Sequence, residues 1–147
     1  MTDTVSQQLN MLNQIYKESE DVYHSFSVKC GLADSSLWLL YSLYEEQQPL
    51  TQADICTQWS VSKQTLNSAI KKMQDGGYIE LENSGQNRKT KQIVLTPSGI
   101  ELAERTAGRM AAAERQALCD LSEDERAALV SLSKKHLDFL KRELGNL

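Results

Sequence analysis

Apolar residues near the start of the chain fall at Val5, Leu9, Leu12, Tyr16, Tyr23 and Phe26, spaced by threes and fours with Ser19 in the one gap. That spacing keeps one helical face apolar from Met1 to Phe26. A helix this long, early in a small protein, predicts packing on something large, and a partner subunit is the natural candidate. Gly31 breaks the run. Asp34 is placed to cap the next helix, where Leu37, Trp38, Leu40, Tyr41 and Tyr44 supply a broad buried face. Polar residues from Glu45 to Gln48, then Pro49, end it.

Thr51 opens a short helix, with Asp54 three residues on as a capping-box variant and Ala53, Ile55, Cys56 and Trp59 as its apolar side. A tight turn follows at Ser60-Val61. Ser62 then caps another helix through Lys63, Leu66, Ile70 and Met73, which Gly76-Gly77 stops. Two short helices joined by such a turn predict a helix-turn-helix. Next, Tyr78 to Glu82 and Lys91 to Leu95 alternate, with Ile79 and Leu81 on one side of the first run and Ile93 and Leu95 on one side of the second. Between them, Asn83 to Thr90 reads as a polar loop carrying Gly85, Arg88 and Lys89. A hairpin directly after a helix-turn-helix is a wing.

Thr96-Pro97 is a helix start, and the pattern predicts one helix through Ile100, Ala103, Ala107, Met110 and Ala117 to about Leu118. Its alanines permit close helix approach. Ser122 and Glu125 form a capping box for a last helix carrying Leu129, Val130, Leu137, Leu140 and Leu144. The expected fold is mainly α with a small β-hairpin wing: a winged helix-turn-helix over residues 34–99, flanked by dimerisation helices over 1–33 and 100–147.

Composition agrees with this picture. Only 7 Gly and 2 Pro punctuate 147 residues, as suits a helical protein. No apolar run approaches the roughly 18 residues of a membrane span. The polar segment Met1 to Asn10 lacks the basic start and apolar stretch of a signal peptide, so a cytoplasmic protein is expected. The net charge of −4 argues against nucleic acid taken whole, but from Leu50 to Gly99 six basic residues meet four acidic ones. The middle third is thus +2 and the remainder −6, which puts positive charge where a DNA-binding module would need it.

Four local patterns, in order, resemble the MarR family of winged helix-turn-helix regulators. They are Leu50-Thr51-Gln52-Ala53-Asp54-Ile55, Met73-Gln74-Asp75-Gly76-Gly77-Tyr78-Ile79, Leu95-Thr96-Pro97-Ser98-Gly99 and Leu121-Ser122-Glu123-Asp124-Glu125-Arg126. The resemblance implies a homodimeric repressor that binds a palindromic operator. It also implies a small-molecule effector or an oxidant acting near the junction of dimerisation and DNA-binding parts. One departure stands out. Where the family's wing carries an acid shortly before an arginine, this chain has Asn87-Arg88-Lys89, and Glu80 and Glu82 add negative charge to the first wing strand.

The proposed recognition helix carries short polar residues at its start: Ser62, Lys63, Gln64, Thr65, Asn67 and Ser68. Gln64 and Asn67 suit bidentate pairing with adenine, and Lys63 suits guanine or phosphate. Leu66, Ala69, Ile70 and Met73 should face the core. Lys71 and Lys72 suit the DNA backbone, Arg88 a narrow minor groove, and Lys89 and Lys91 the flanking phosphates. Each residue alone reads more readily as a solvated surface; the set, in this architecture, points to DNA. The alternative is a winged-helix protein-interaction scaffold without DNA binding, which the net charge and the wing glutamates favour.

Tyr16, Tyr23, His24, Trp38 and Tyr41, with Phe26, are candidates for a ligand pocket, although aromatics at helical spacing are more often core. Cys30 is the candidate thiol sensor, against the ordinary reading of a part-buried cysteine. Cys30, Cys56 and Cys119 are scattered, and neither they nor His24 and His136 have metal-ligand spacing. No cofactor is expected. No nucleophile–base pair or Gly-rich phosphate loop suggests an enzyme.

Overall fold

The computed structural model describes residues 3–46, 48–84 and 87–147, with the side chains of 84–89 outside the description. The elements run α1 (Thr4–Cys30), α2 (Asp34–Glu46), β1 (Leu50–Thr51), α3 (Gln52–Trp59), α4 (Lys63–Asp75), β2 (Ile79–Ser84), β3 (Asn87–Leu95), α5 (Pro97–Arg105), α6 (Ala107–Cys119) and α7 (Glu123–Gly145). The fold is mainly α with a small antiparallel sheet, a winged helix as the pattern predicted. Two compact units divide the chain, Met1–Arg109 and Met110–Leu147.

The core of the first unit gathers on α2. Leu37, Leu39, Leu40 and Leu43 are buried there, with Ile55 of α3, Leu66, Ala69, Ile70 and Met73 of α4, Ile79 of β2, Ile93 of β3 and Leu102 and Ala103 of α5. Each fully buried leucine or isoleucine contributes about 1.5–3 kcal/mol relative to exposure. Burial at positions 66, 69, 70 and 73 follows the helical repeat, which turns the polar remainder of α4 outward.

Local signals set most boundaries. Asp3 caps α1, and Gly31 ends it with φ +69°, a left-handed conformation that glycine adopts without steric cost. The helix therefore continues one turn beyond Phe26. Asp34, read as a cap, is instead the first residue of α2: the Leu37 N–H donates to the Ala33 carbonyl, so Ala33 takes the cap position. The Asp34 carboxylate turns back to α1, where His24 Nδ1 lies 3.0 Å away.

The sheet has the order β1-β3-β2. The expected hairpin is present, with Ile79 opposite Leu95 and Leu81 opposite Ile93. Two features differ from the sequence reading. Much of the stretch read as a loop, Asn83 to Thr90, belongs to the strands, with Asn83 opposite Lys91 and a bulge before Ser84; Gly85 lies outside the described residues. Main-chain bonds define the ladder, so a strand there does not need the apolar alternation by which a sequence announces one. The short β1 was not foreseen: Leu50 and Thr51 pair with Ile93 and Gln92, which ties the entry of α3 to the base of the wing.

The helix expected from Pro97 to about Leu118 is interrupted at Thr106, where φ −121° and ψ −86° leave the helical region. The Thr106 hydroxyl donates to the Leu102 carbonyl at 2.7 Å, the kind of side-chain bond by which threonine competes with helix bonding. Just beyond, Gly108 meets Tyr44: a Cβ there would lie 3.0 Å from the ring. In the second unit, Ser122 and Glu125 form the expected capping box at the start of α7. Glu123, Asp124 and Glu125 in its first turn complement the helix dipole. No described helix is long and apolar enough to cross a membrane.

Candidate nucleic-acid interface

The helix-turn-helix is built by consecutive caps. Thr51 and Asp54 make a reciprocal capping box at α3. Ser60 then takes φ +51°, the one positive φ outside glycine among the described residues, and turns the chain between the helices. Ser62 caps α4, accepting from the Thr65 N–H at 3.1 Å and donating to Thr65 Oγ1 at 2.8 Å. The hydroxyls of Ser62 and Thr65 are thus coupled before any ligand arrives.

Ser62, Lys63, Gln64, Thr65, Asn67, Ser68 and Lys71 are all exposed. The helical repeat separates them into two stripes. Lys63 and Asn67 line a groove of about 680 Å³ shared with Gln52 and Cys56 of α3 and Leu81 and Lys91 of the wing. Gln64, Ser68 and Lys71 form the neighbouring stripe, and the Ser68 hydroxyl donates to the Gln64 carbonyl at 3.2 Å. Lys91 is exposed on β3 and joins Lys63 at the groove. Arg88 and Lys89 belong to β3 by backbone, but their side chains lie outside the described residues. Glu80 and Glu82 are exposed on β2, an edge strand, where charge discourages pairing with another sheet.

Gln52 is a residue the sequence reading missed. Its Nε2 donates to Asn67 Oδ1 across the helix-turn-helix. Its place at the first position of α3 announces a helix start, but a partner fifteen positions away is a tertiary fact.

The aromatic candidates divide. Trp38 is the centre of a cluster, with Tyr23 at 5.2 Å, Tyr41 at 5.5 Å and Trp59 at 4.9 Å between ring centroids. Trp59, read only as part of the apolar side of α3, completes it. Tyr16 is 55% exposed, two turns earlier on α1. His24 is exposed and faces Asp34. The Asp34 carboxyl is held below the usual carboxylate range, chiefly by the Ser27 hydroxyl, with His24 adding to the effect.

Burial pushes the Cys30 thiol up, with Arg109 pulling weakly the other way. That is the opposite of thiolate activation. Cys56 is half-buried in the groove and Cys119 is exposed. Among the described residues, no three His, Cys, Asp or Glu side chains cluster as metal ligands.

Residues 31–89 match the MarR family. A relative in Bacillus subtilis, the uncharacterised HTH-type transcriptional regulator YwoH, is 26% identical over 107 residues, covering 73% of this chain and 77% of that one. Among solved structures, the MarR family regulator NMB1585 of Neisseria meningitidis superimposes with a TM-score of 0.79 at 20% identity, covering 95% of this chain and 97% of that one. MepR of Staphylococcus aureus, solved in complex with DNA, gives 0.71 at 24% identity over 95% of this chain and 99% of that one. At these identities the structural likeness establishes the winged-helix fold.

Proposed function

Residues 31–89 match the MarR family, and from that match we propose that the chain belongs to it and is a sequence-specific, DNA-binding transcription regulator. In this reading it is a homodimeric repressor of a palindromic operator, released by a small ligand, with no catalytic role. The observation that carries it is the division of α4. Leu66, Ala69, Ile70 and Met73 are buried, while Lys63, Gln64, Asn67, Ser68 and Lys71 are presented outward beside Lys91 of the wing. Polar side chains at the start of such a helix can reach base edges while lysines hold phosphates. The DNA complex of MepR, a protein of the same fold, supports this use of the surface.

Dimerisation is supported by apolar side chains left in water on both end helices. Val5, Leu9, Leu12 and Ile15 of α1 are 37–73% exposed, and Leu129, Val130, Leu137, Leu140 and Leu144 of α7 are 45–65% exposed. Rows of this kind mark association surfaces. We assign dimerisation to residues 1–33 and 100–147 and DNA binding to 34–99.

The test is retention of DNA. Purified protein is mixed with sheared genomic DNA of its source at moderate salt, and retained fragments are sequenced beside an Arg88→Ala/Gln64→Ala double variant. The expected result is a short palindrome, lost in the variant and released steeply by added salt. If wild type and variant retain nothing specific, the regulator reading fails, and a protein-interaction scaffold, favoured by exposed Glu80 and Glu82, takes its place.

A further inference from the structure

Strand β1 covers β3 only at Ile93 and Gln92. Beyond them, Val94 and Leu95 have β2 on one side and, among the described residues, no strand on the other. A cavity of about 460 Å³ opens at this uncovered edge. Leu43 and Tyr44 close it from α2, Pro49 from the link into β1, and Ile100 and Glu104 from α5. We propose that this cavity binds an apolar amine in its ammonium form, a hydrocarbon or aryl body carrying one positive charge.

The space suits such a body. Its volume falls in the range of roughly 300–1,000 Å³ typical of small-molecule sites. Leu43, Pro49, Val94, Leu95 and Ile100 make most of the wall hydrocarbon. Ile100 is exposed, so a ligand that covers it gains from burying apolar surface. Part of the wall is also fixed beforehand. A Cβ at Gly108 would lie 3.0 Å from the Tyr44 ring, so that ring packs against the start of α6. A wall held in place loses little entropy when a ligand arrives.

The charge selects the other half of the ligand. Glu104 is the one charged residue among the described residues that line the cavity. The positions three and four away along the chain are Ile100, Glu101, Ala107 and Gly108, so no basic side chain is placed to pair with it on the helix. Neither an ion pair nor a hydrogen bond engages its carboxylate among the described residues. Glu80 adds a second acid. It stands opposite Val94 in the ladder, so the two side chains leave the same face of the sheet. Gln92, the next β3 residue on that face, is uncharged. Lys91 leaves the opposite face and lines the groove beside α4 instead. An anion in the cavity would meet two carboxylates, and a neutral molecule would gain from burial alone. An ammonium on an apolar body uses both the walls and the charge. Glu104 is exposed, so salt screens the attraction and its contribution is modest.

Such an amine is the effector of the proposed function, and it rests on that reading only for its consequence at DNA. The walls include β3 of the wing and Pro49, which directly precedes the two residues that tie the entry of α3 to β3. Binding itself is measured without DNA, so the two readings fail separately.

The full chain is titrated by calorimetry at neutral pH and low salt with three molecules that share a phenylethyl body: 2-phenylethylamine, 2-phenylethanol and 3-phenylpropanoate. The amine should bind saturably, about fivefold or more tightly than the alcohol, and the carboxylate more weakly than either. Added salt should weaken the amine and leave the alcohol unchanged. Glu104→Gln should remove most of the amine's advantage and spare the alcohol, whereas Ile100→Trp, which fills the space, should abolish both. Both substitutions are at exposed positions, and circular dichroism confirms that the variants fold. Equal binding of amine and alcohol, an amine affinity unchanged by Glu104→Gln or by Ile100→Trp, or no saturable binding up to about 10 mM amine would each overturn the proposal.

Discussion

Asn67, on the outward face of α4, accepts a hydrogen bond from Gln52 at the start of α3. The bond fixes which way the Asn67 amide points before DNA arrives. An asparagine reads adenine by donating through one amide atom and accepting through the other, so its orientation decides the match. In the regulator reading, Gln52 is a positioning residue. Asn67→Ala should weaken operator binding by about 1–3 kcal/mol and relax preference at one base pair. Gln52→Ala should reproduce part of that loss, and the double variant should lose less than the two losses combined. Fluorescence anisotropy on the selected operator checks this; additive losses would sever the link.

Thr96 joins the wing to α5. Its hydroxyl donates to the Gly77 carbonyl at 2.6 Å and accepts from the Gly99 N–H at 3.0 Å. Gly99 is packed so closely that a Cβ would sit 1.8 Å from the Tyr78 carbonyl oxygen. Gly99→Ala should therefore cost about 3 kcal/mol through forced backbone displacement. Thr96→Val should cost about 2 kcal/mol through the lost cap and the lost bond to Gly77. Urea unfolding measures both, and a Gly99→Ala midpoint equal to wild type would contradict the packing described.

These examples show which features are legible in a sequence. Caps depend on residues three apart, so Thr51–Asp54, Ser62–Thr65 and Ser122–Glu125 could be read directly. The buried face of α4 was equally plain from its repeat. The interruption at Thr106 was hidden because Ile100, Ala103, Ala107 and Met110 keep helical spacing straight across it. Strand β1 escaped notice because two residues have no period, and their partners lie more than forty positions away. Gln52 and Trp59 were missed for a related reason: their roles come from side chains on other elements.

Asp34 predicts a response to acid. Its folded-state pKa is depressed, first by the Ser27 hydroxyl and then by His24. A depressed carboxylate stabilises the fold fully above its unfolded value near 3.9, and that contribution is lost as pH falls through the folded value. The side chain is 52% exposed, so solvent and salt screen the effect. Thermal midpoints from about pH 6 to pH 3 should fall less steeply in Asp34→Asn than in wild type. Parallel curves would mean the contact contributes nothing.

Cysteine chemistry should follow exposure. Cys119 is exposed, whereas burial pushes the Cys30 thiol up and leaves little thiolate at neutral pH. Iodoacetamide should alkylate Cys119 well before Cys30, as followed by peptide mass mapping. Faster labelling of Cys30 would restore it as a candidate sensor.

Lys91 and Gln64 should fail in different ways, and the difference tests how the interface divides its work. Lys91 is exposed on β3 at the edge of the groove that Lys63 and Asn67 line. An ammonium there meets phosphate, which is the same at every sequence, and neutralising a phosphate releases a condensed counterion. Lys91→Ala should thus weaken operator and unrelated DNA alike, and lower the slope of log affinity against log salt by about one per bound protomer. Gln64 is uncharged and lies on the outward stripe of α4. Its amide can pair with a base edge but releases no ion, so Gln64→Ala should leave the salt slope unchanged and narrow the gap between operator and unrelated DNA. Titrations at several salt concentrations on both DNAs separate the two effects. A Lys91→Ala slope equal to wild type would remove the wing strand from the phosphate contacts. An unchanged gap with Gln64→Ala would move base reading to the stripe of Lys63 and Asn67.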